Sequence, residues 1–208
     1  MRAYLFIAIV IILGAAESAA QTIRLALPGL PPGLGYPYRV MTMPTLYTVS
    51  AVFDGLTRID QNGATQPWLA KTWVQKDPTT WVLTLRDDVI FHNGRPFTAD
   101  AVVNVVTFLA DRFGSGEAVA TEMAFLHSAM AIDDFTVEIR TDYPVPVLPR
   151  FLPVLHMVEP ESWRTMTKDE FALNPVGTGP FKVEGFGATK VSFSAHEQAW
   201  RPSHVDEL

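Results

Sequence analysis

Residues 47–112, YTVSAVFDGLTRIDQNGATQPWLAKTWVQKDPTTWVLTLRDDVIFHNGRPFTADAVVNVVTFLADR, carry the most legible local structure in the chain. Asn62-Gly63 predicts a tight turn, since both residue types tolerate positive φ. Thr80 to Arg86 alternates, with Trp81, Leu83 and Leu85 on one face and Val82, Thr84 and Arg86 on the other, the period of a half-buried strand. Asn93-Gly94 predicts a second turn, and Pro96 stiffens the exit. Thr98 then offers a hydroxyl N-cap with Asp100 in the first turn behind it. Val102, Val105, Val106 and Leu109 recur at helical spacing. The stretch predicts a small sheet feeding an amphipathic helix.

Outward from this stretch, composition sets broad bounds. The 208 residues suffice for a sizeable core, and 48% hydrophobic with 18% charged residues is ordinary for a globular chain. A net charge of -6 argues against nucleic acid as a partner, which would call for clustered Lys and Arg. The chain has no cysteine, which removes disulfides, thiolate catalysis, Cys-based zinc sites and a lipoprotein's lipid-attachment residue. Arg2, the apolar run Leu5 to Leu13 and Ser18-Ala19-Ala20 form the pattern of a cleavable secretory signal over residues 1–20, with cleavage before Gln21. The run is shorter than the roughly 20 residues a bilayer span needs.

Thr22 to Leu27 alternates and predicts the first strand of the mature chain, followed by a Gly/Pro segment ending at Tyr38. Gly29, Gly33 and Gly35 fit neither the dinucleotide fingerprint nor the P-loop. Met43 to Ala51 predicts a short helix. Phe113 to Gly116 predicts a turn and Glu117 to Ala129 a helix with Val119, Met123 and Leu126 on one stripe. Phe135, Val137 and Ile139 predict a strand pairing back to Met130-Ala131-Ile132 through the Asp133-Asp134 turn. Five prolines between Tyr143 and Pro160 forbid a long helix there. Glu161 or Ser162 starts a short helix, with Lys168 to Phe171 continuing as exposed chain. Gly177-Thr178-Gly179-Pro180 predicts a close-packed turn, and Lys190 to Ala195 should pair with the strand that leaves it.

Catalytic constellations are not found. The five histidines show no His-Glu-x-x-His arrangement and no acidic neighbours at metal-ligand spacing. No Gly-x-Ser-x-Gly occurs, and Asp87-Asp88 and Asp133-Asp134 read as solvated turns. Trp68, Trp73 and Trp81 read as core, and His92 as a structural hydrogen-bonding group. A binder, with no cofactor and no metal, is expected rather than an enzyme.

Phe53-Asp54-Gly55-Leu56, Asp60 with Gly63, Pro67-Trp68-Leu69-Ala70 and Trp73 together resemble the solute-binding proteins of peptide and nickel ABC importers, extracellular family 5. The resemblance continues through Thr80 to Arg86, Val89 to Gly94, Pro96 to Val102, and Pro175 to Phe181. It implies an α/β fold: the first lobe of a two-lobed periplasmic binding protein of type II, cluster C-like. A mixed-sheet core from residues 21–51 and 167–208 would carry an inserted sheet-and-helix subdomain over 52–166, with the second lobe absent from this chain, as in a truncated product, a fragment or a short form that works differently. It also implies a periplasmic monomer that takes a peptide, nickel chelate or similar small solute to permease subunits in the inner membrane. The loop after the first strand would face the ligand, making Tyr36 and Tyr38 cleft aromatics. His156, on a strand over Pro153 to Val158 that returns to the main lobe, would be a ligand contact. An exported interaction or regulatory protein on the same fold, a peptide chaperone or sensor partner, is the alternative.

Overall fold

A computed structural model describes residues 21–39, 42–111 and 116–208. The signal-like segment 1–20 and most of the turn expected at 113–116 lie outside these residues. The elements in chain order are α1 (Met43–Val52), β1 (Thr57–Ile59), β2 (Thr65–Pro67), β3 (Ala70–Asp77), β4 (Thr80–Leu85) and α2 (Ala99–Ala110). Then follow α3 (Ala118–Glu122), β5 (Leu126–Asp133), β6 (Thr136–Thr141), α4 (Leu148–Phe151), a 3-10 turn (Leu152–Val154), α5 (Pro160–Thr165), α6 (Lys168–Leu173), β7 (Phe181–Phe186) and β8 (Val191–Ala195).

β3, β4, β6 and β5 form an antiparallel sheet in that order, with Trp81 opposite Ile139 and Leu83 opposite Val137. α2 lies against β5 and β6 and buries Val102, Val105, Val106 and Leu109. Each such side chain contributes about 1.5–3 kcal/mol of transfer free energy. β1 and β2 make a small hairpin around Gly63, whose φ of 79° is the positive value the turn needs. β7 and β8 form a separate hairpin that touches α1. One contiguous apolar cluster, from Tyr36 to Phe193, runs through α1, the four-stranded sheet, α2 and the β7–β8 hairpin.

Five expectations need correction. Thr22–Leu27 forms only an isolated bridge from Thr22 to Glu207, with the Ile23 N–H on the Glu207 carbonyl at 3.1 Å. A strand exists only where a partner continues the ladder; here Ile23, Leu25 and Leu27 stay exposed. The helix expected over Glu117–Ala129 ends at Glu122, because Leu126 onward pairs along the whole of β6. Tertiary pairing overrides the helical stripe, although Val119, Met123 and Leu126 are buried as expected. Thr98 occupies the N-cap without a side-chain cap bond; the Ala99 N–H goes instead to the Asp134 carbonyl at 2.8 Å. The segment 155–159 is extended but is no strand. Its Met157 N–H reaches the Asp54 carbonyl (2.9 Å) and its Glu159 N–H the Val176 carbonyl (3.1 Å), two partners that are not neighbours in a ladder. Lys168–Leu173 is helical with Phe171 buried, begun by a Thr167–Glu170 capping box, and α5 starts under Glu159, whose carboxylate accepts from the Glu161 and Ser162 N–H groups.

The Gly177–Pro180 loop packs as tightly as its composition suggests. A Cβ at Gly177 would collide with the Val52 carbonyl and meet the Phe53 ring at 2.6 Å, and one at Gly179 would strike the Ala51 and Val52 backbone. Gly179→Ala should therefore cost about 3 kcal/mol or more in urea unfolding, since backbone must move. Gly185→Ala, with open space around its Cβ position, should change stability by less than about 1 kcal/mol. Equal effects would show that the contact is not limiting.

Candidate functional site

The end of α1, the chain just before β3, the Gly177–Pro180 loop and the chain after β8 form a junction built on one carboxylate. Asp54 follows α1 and its side chain is fully buried. Oδ1 accepts from Trp68 Nε1 at 2.8 Å and from Arg201 Nε at 2.7 Å. Oδ2 accepts from Thr178 Oγ1 at 2.9 Å and from Trp200 Nε1 at 3.0 Å. Four donors from three distant segments meet at this group, so a buried charge is both paired and hydrogen-bonded. The two indoles meet edge to face with centroids 4.9 Å apart. Arg58 stacks on Trp68 at 4.5 Å and Arg86 on Trp200 at 4.4 Å, enclosing the pair with cation–π contacts. Nothing in the spacing marks this carboxylate: Asp54 and Arg201 are 147 positions apart. The available signal was the co-occurrence of an acid in a motif with Trp and Arg in others.

Behind this junction lies an aromatic layer. Tyr36 and Tyr38 are both fully buried. Trp163 sits 5.3 Å from Tyr36, 5.4 Å from Tyr38, 5.0 Å from Phe108 and 4.9 Å from Phe171, mostly edge to face. The Tyr36 hydroxyl donates to Glu117 Oε1 at 3.1 Å, and Lys168 Nζ donates to the same oxygen at 2.6 Å. Burial, then the Glu117 carboxylate, raises the Tyr36 phenol well above its ordinary value, and burial does the same for Tyr38. The Tyr38 hydroxyl donates to the His156 carbonyl in a short hydrogen bond.

The structure therefore brings Tyr38 and His156 into direct contact, with Tyr36 beside them. The two tyrosines face the interior. The His156 ring is half-buried, its Nδ1 is buried without a hydrogen-bond partner, and Phe53 lies 6.4 Å from it. Burial lowers its pKa to about 4, with nearby Asp54 pulling the other way, so the ring is neutral at neutral pH. It can exchange a hydrogen bond but not a charge. Two surface concavities, about 560 Å³ bounded by Arg58 to Asn62 and about 370 Å³ bounded by Gln75, Asp77, Pro78, Pro144 and Pro146, include none of these three residues. His92 has the structural hydrogen bonds expected of it, through Nε2 to the Gly179 carbonyl at 3.1 Å. Among the described residues no group of three or more His, Asp or Glu could hold a metal ion.

Solved structures with this architecture are two-lobed solute-binding proteins of type II. NikZ from Campylobacter jejuni, in complex with Ni(L-His), overlays with a TM-score of 0.71 at 28% identity, covering 77% of this chain and 33% of its own. The oligopeptide-binding protein AppA from Bacillus subtilis, in complex with a nonapeptide, overlays at 0.77 with 18% identity, over 86% and 37%. The middle-region profile of bacterial extracellular solute-binding proteins, family 5, matches residues 64–208, and the chain belongs to that family. The nickel-binding periplasmic protein of Escherichia coli K12 is 31% identical over 149 residues, 67% of this chain and 27% of that protein. The HTH-type transcriptional regulator SgrR of Pectobacterium atrosepticum is 30% identical over 165 residues, 77% of this chain and 28% of that protein. The chain thus spans just over a quarter of the length of these relatives. Among the described residues no helix is long and apolar enough to cross a membrane.

Tyr38→Phe would leave the part-buried His156 carbonyl without its donor and should cost about 1–3 kcal/mol. Tyr36→Phe, which leaves Lys168 on Glu117, should cost about 1 kcal/mol or less. Chemical denaturation of both variants reads the difference, and the reverse order would contradict the assignment of Tyr38 as the support of the His156 segment.

Proposed function

We propose that this chain forms one wall of a ligand cleft in an exported solute-binding protein, which captures a peptide, metal chelate or similar small solute and delivers it to an ABC permease. The observation that carries the reading is the family match over residues 64–208, together with the overlay on NikZ, whose structure holds a nickel–histidine complex. In this reading residues 1–20 are a removed signal, 21–51 and 167–208 belong to the lobe core, and 52–166 form the inserted subdomain. His156, half-buried with an unpartnered nitrogen, is the solute contact. Tyr36 and Tyr38 act from beneath it: they are buried, and Tyr38 grips the backbone that carries the imidazole. Two-lobed clefts close around their ligand by hinge motion, so a single wall makes few of the contacts that offset the cost of immobilising a solute.

The match to a transcriptional regulator supports a second reading, in which the same unit senses a solute without transporting it. Two measurements test these readings. Calorimetry on the chain from residue 21 to 208 should show peptide or nickel–histidine binding no tighter than millimolar, and micromolar binding would overturn the one-wall assignment. Fractionation of the expressing bacterium should recover a processed chain in the periplasm, whereas an unprocessed cytoplasmic chain would overturn the exported assignment.

A further inference from the structure

The Gly177–Pro180 loop is held by two histidines whose protonation the site does not accommodate. The His92 backbone N–H donates to the Gly177 carbonyl at 2.9 Å, and the Gly177 N–H points back at the ring nitrogen His92 Nδ1 at 3.4 Å. Nε2 meets the Gly179 carbonyl at 3.1 Å, so this nitrogen carries the proton and Nδ1 is the acceptor. The His196 backbone N–H, independent of the ring's protonation, donates to the Pro180 carbonyl at 2.8 Å. The two imidazoles meet edge to face with centroids 5.0 Å apart. His196 is 2% exposed, and its Nδ1 has no hydrogen-bond partner. The same loop reaches the core through the Gly179 N–H on the Val52 carbonyl (2.9 Å) and through Thr178 on Asp54.

We infer that His92 and His196 form an acid-sensitive latch, which seats the Gly177–Pro180 loop when both rings are neutral and releases it when they are protonated. A proton on His92 Nδ1 would convert the acceptor of the Gly177 N–H into a second donor facing it. The charged group acting on both rings is Lys182 on β7, which disfavours a further positive charge. The nearby carboxylates are engaged elsewhere: Glu161 with Arg95, and Glu159 with Ser162 and the Glu161 N–H. Burial, then neighbouring positive charge, lowers both pKa values, that of His92 to about 4, with the Gly179 carbonyl partly offsetting. The sign follows directly. The folded state binds protons less readily than the unfolded state, so the contribution is intact above the ordinary value near 6.5 and is lost as pH falls from there toward 4. The inference concerns this loop whatever solute the protein takes.

Amide hydrogen exchange on the intact chain, expressed as protection factors to remove intrinsic pH effects, tests it. Between pH 7 and pH 5 the Gly177 and Gly179 amides should lose about tenfold or more in protection relative to β4 and β6 amides, an effect within reach of shifts of this size. His92→Gln, which keeps a neutral donor for the Gly179 carbonyl, should abolish most of that dependence. His196→Phe should keep the loop seated and let His92 titrate at higher pH. Carbon-shift titration of the unmodified protein is an independent reading should His92→Gln not fold: titration of both rings below 6.5 supports the latch. Rings titrating near 6.5, or loop protection with the same pH dependence in His92→Gln, would overturn it.

Discussion

A buried carboxylate that must find partners shapes this structure more than any single element. Asp54 sits where α1 ends, with no access to water, so its charge is tolerable only because four donors surround it. Meeting that requirement brings together Trp68 before β3, Thr178 in the glycine loop and Trp200-Arg201 after β8. The close approach of Gly177 and Gly179 to the Val52 and Ala51 backbone serves the same end. Without side chains there, the loop comes near enough to put Thr178 on the carboxylate. The Met157 N–H on the Asp54 carbonyl adds the return segment to the same point.

The same arrangement fixes the segment that carries His156. His156 lies one residue from Met157, and its carbonyl is gripped by Tyr38. The imidazole is therefore placed by two independent anchors, the Asp54 backbone and a buried phenol. As the proposed solute contact, carried on an irregular segment, His156 needs such support, because no ladder fixes its direction. The aromatic layer of Tyr36, Tyr38, Phe108, Trp163 and Phe171 supplies a stiff backing, and the Glu117 carboxylate, held by Lys168, satisfies the Tyr36 hydroxyl.

Local structure was legible in the sequence wherever one residue type forces one conformation. Gly63 and Gly94 turn with positive φ, the Thr80–Leu85 alternation forms a central strand, and the apolar stripe of α2 is buried. The failures occur where a distant partner decides. Leu126 to Ala129 carries a helical stripe but joins β6, and Thr22 to Leu27 alternates but finds pairing only near Glu207. Tyr36 and Tyr38 on one loop and His156 on a distant segment are separate candidates in the sequence; that they meet, and the side each ring faces, depends on partners such as Trp163 and Glu117 that lie far away in sequence. The role of Asp54 was hidden for the same reason. Its donors sit up to 147 positions away, and a pattern of residue types carries no distance.

The central claim is that Asp54 couples the Trp200-Arg201 segment and the glycine loop to the end of α1 and to Trp68. A double-mutant cycle on unfolding free energy, pairing Asp54→Ala with Trp200→Phe and with Thr178→Val, tests it directly. Asp54→Ala should cost about 3–5 kcal/mol, as expected when a buried pair loses one partner, and each pair should show coupling of about 1 kcal/mol or more. A cost for Asp54→Ala below about 1 kcal/mol, or strictly additive pairs, would contradict the account.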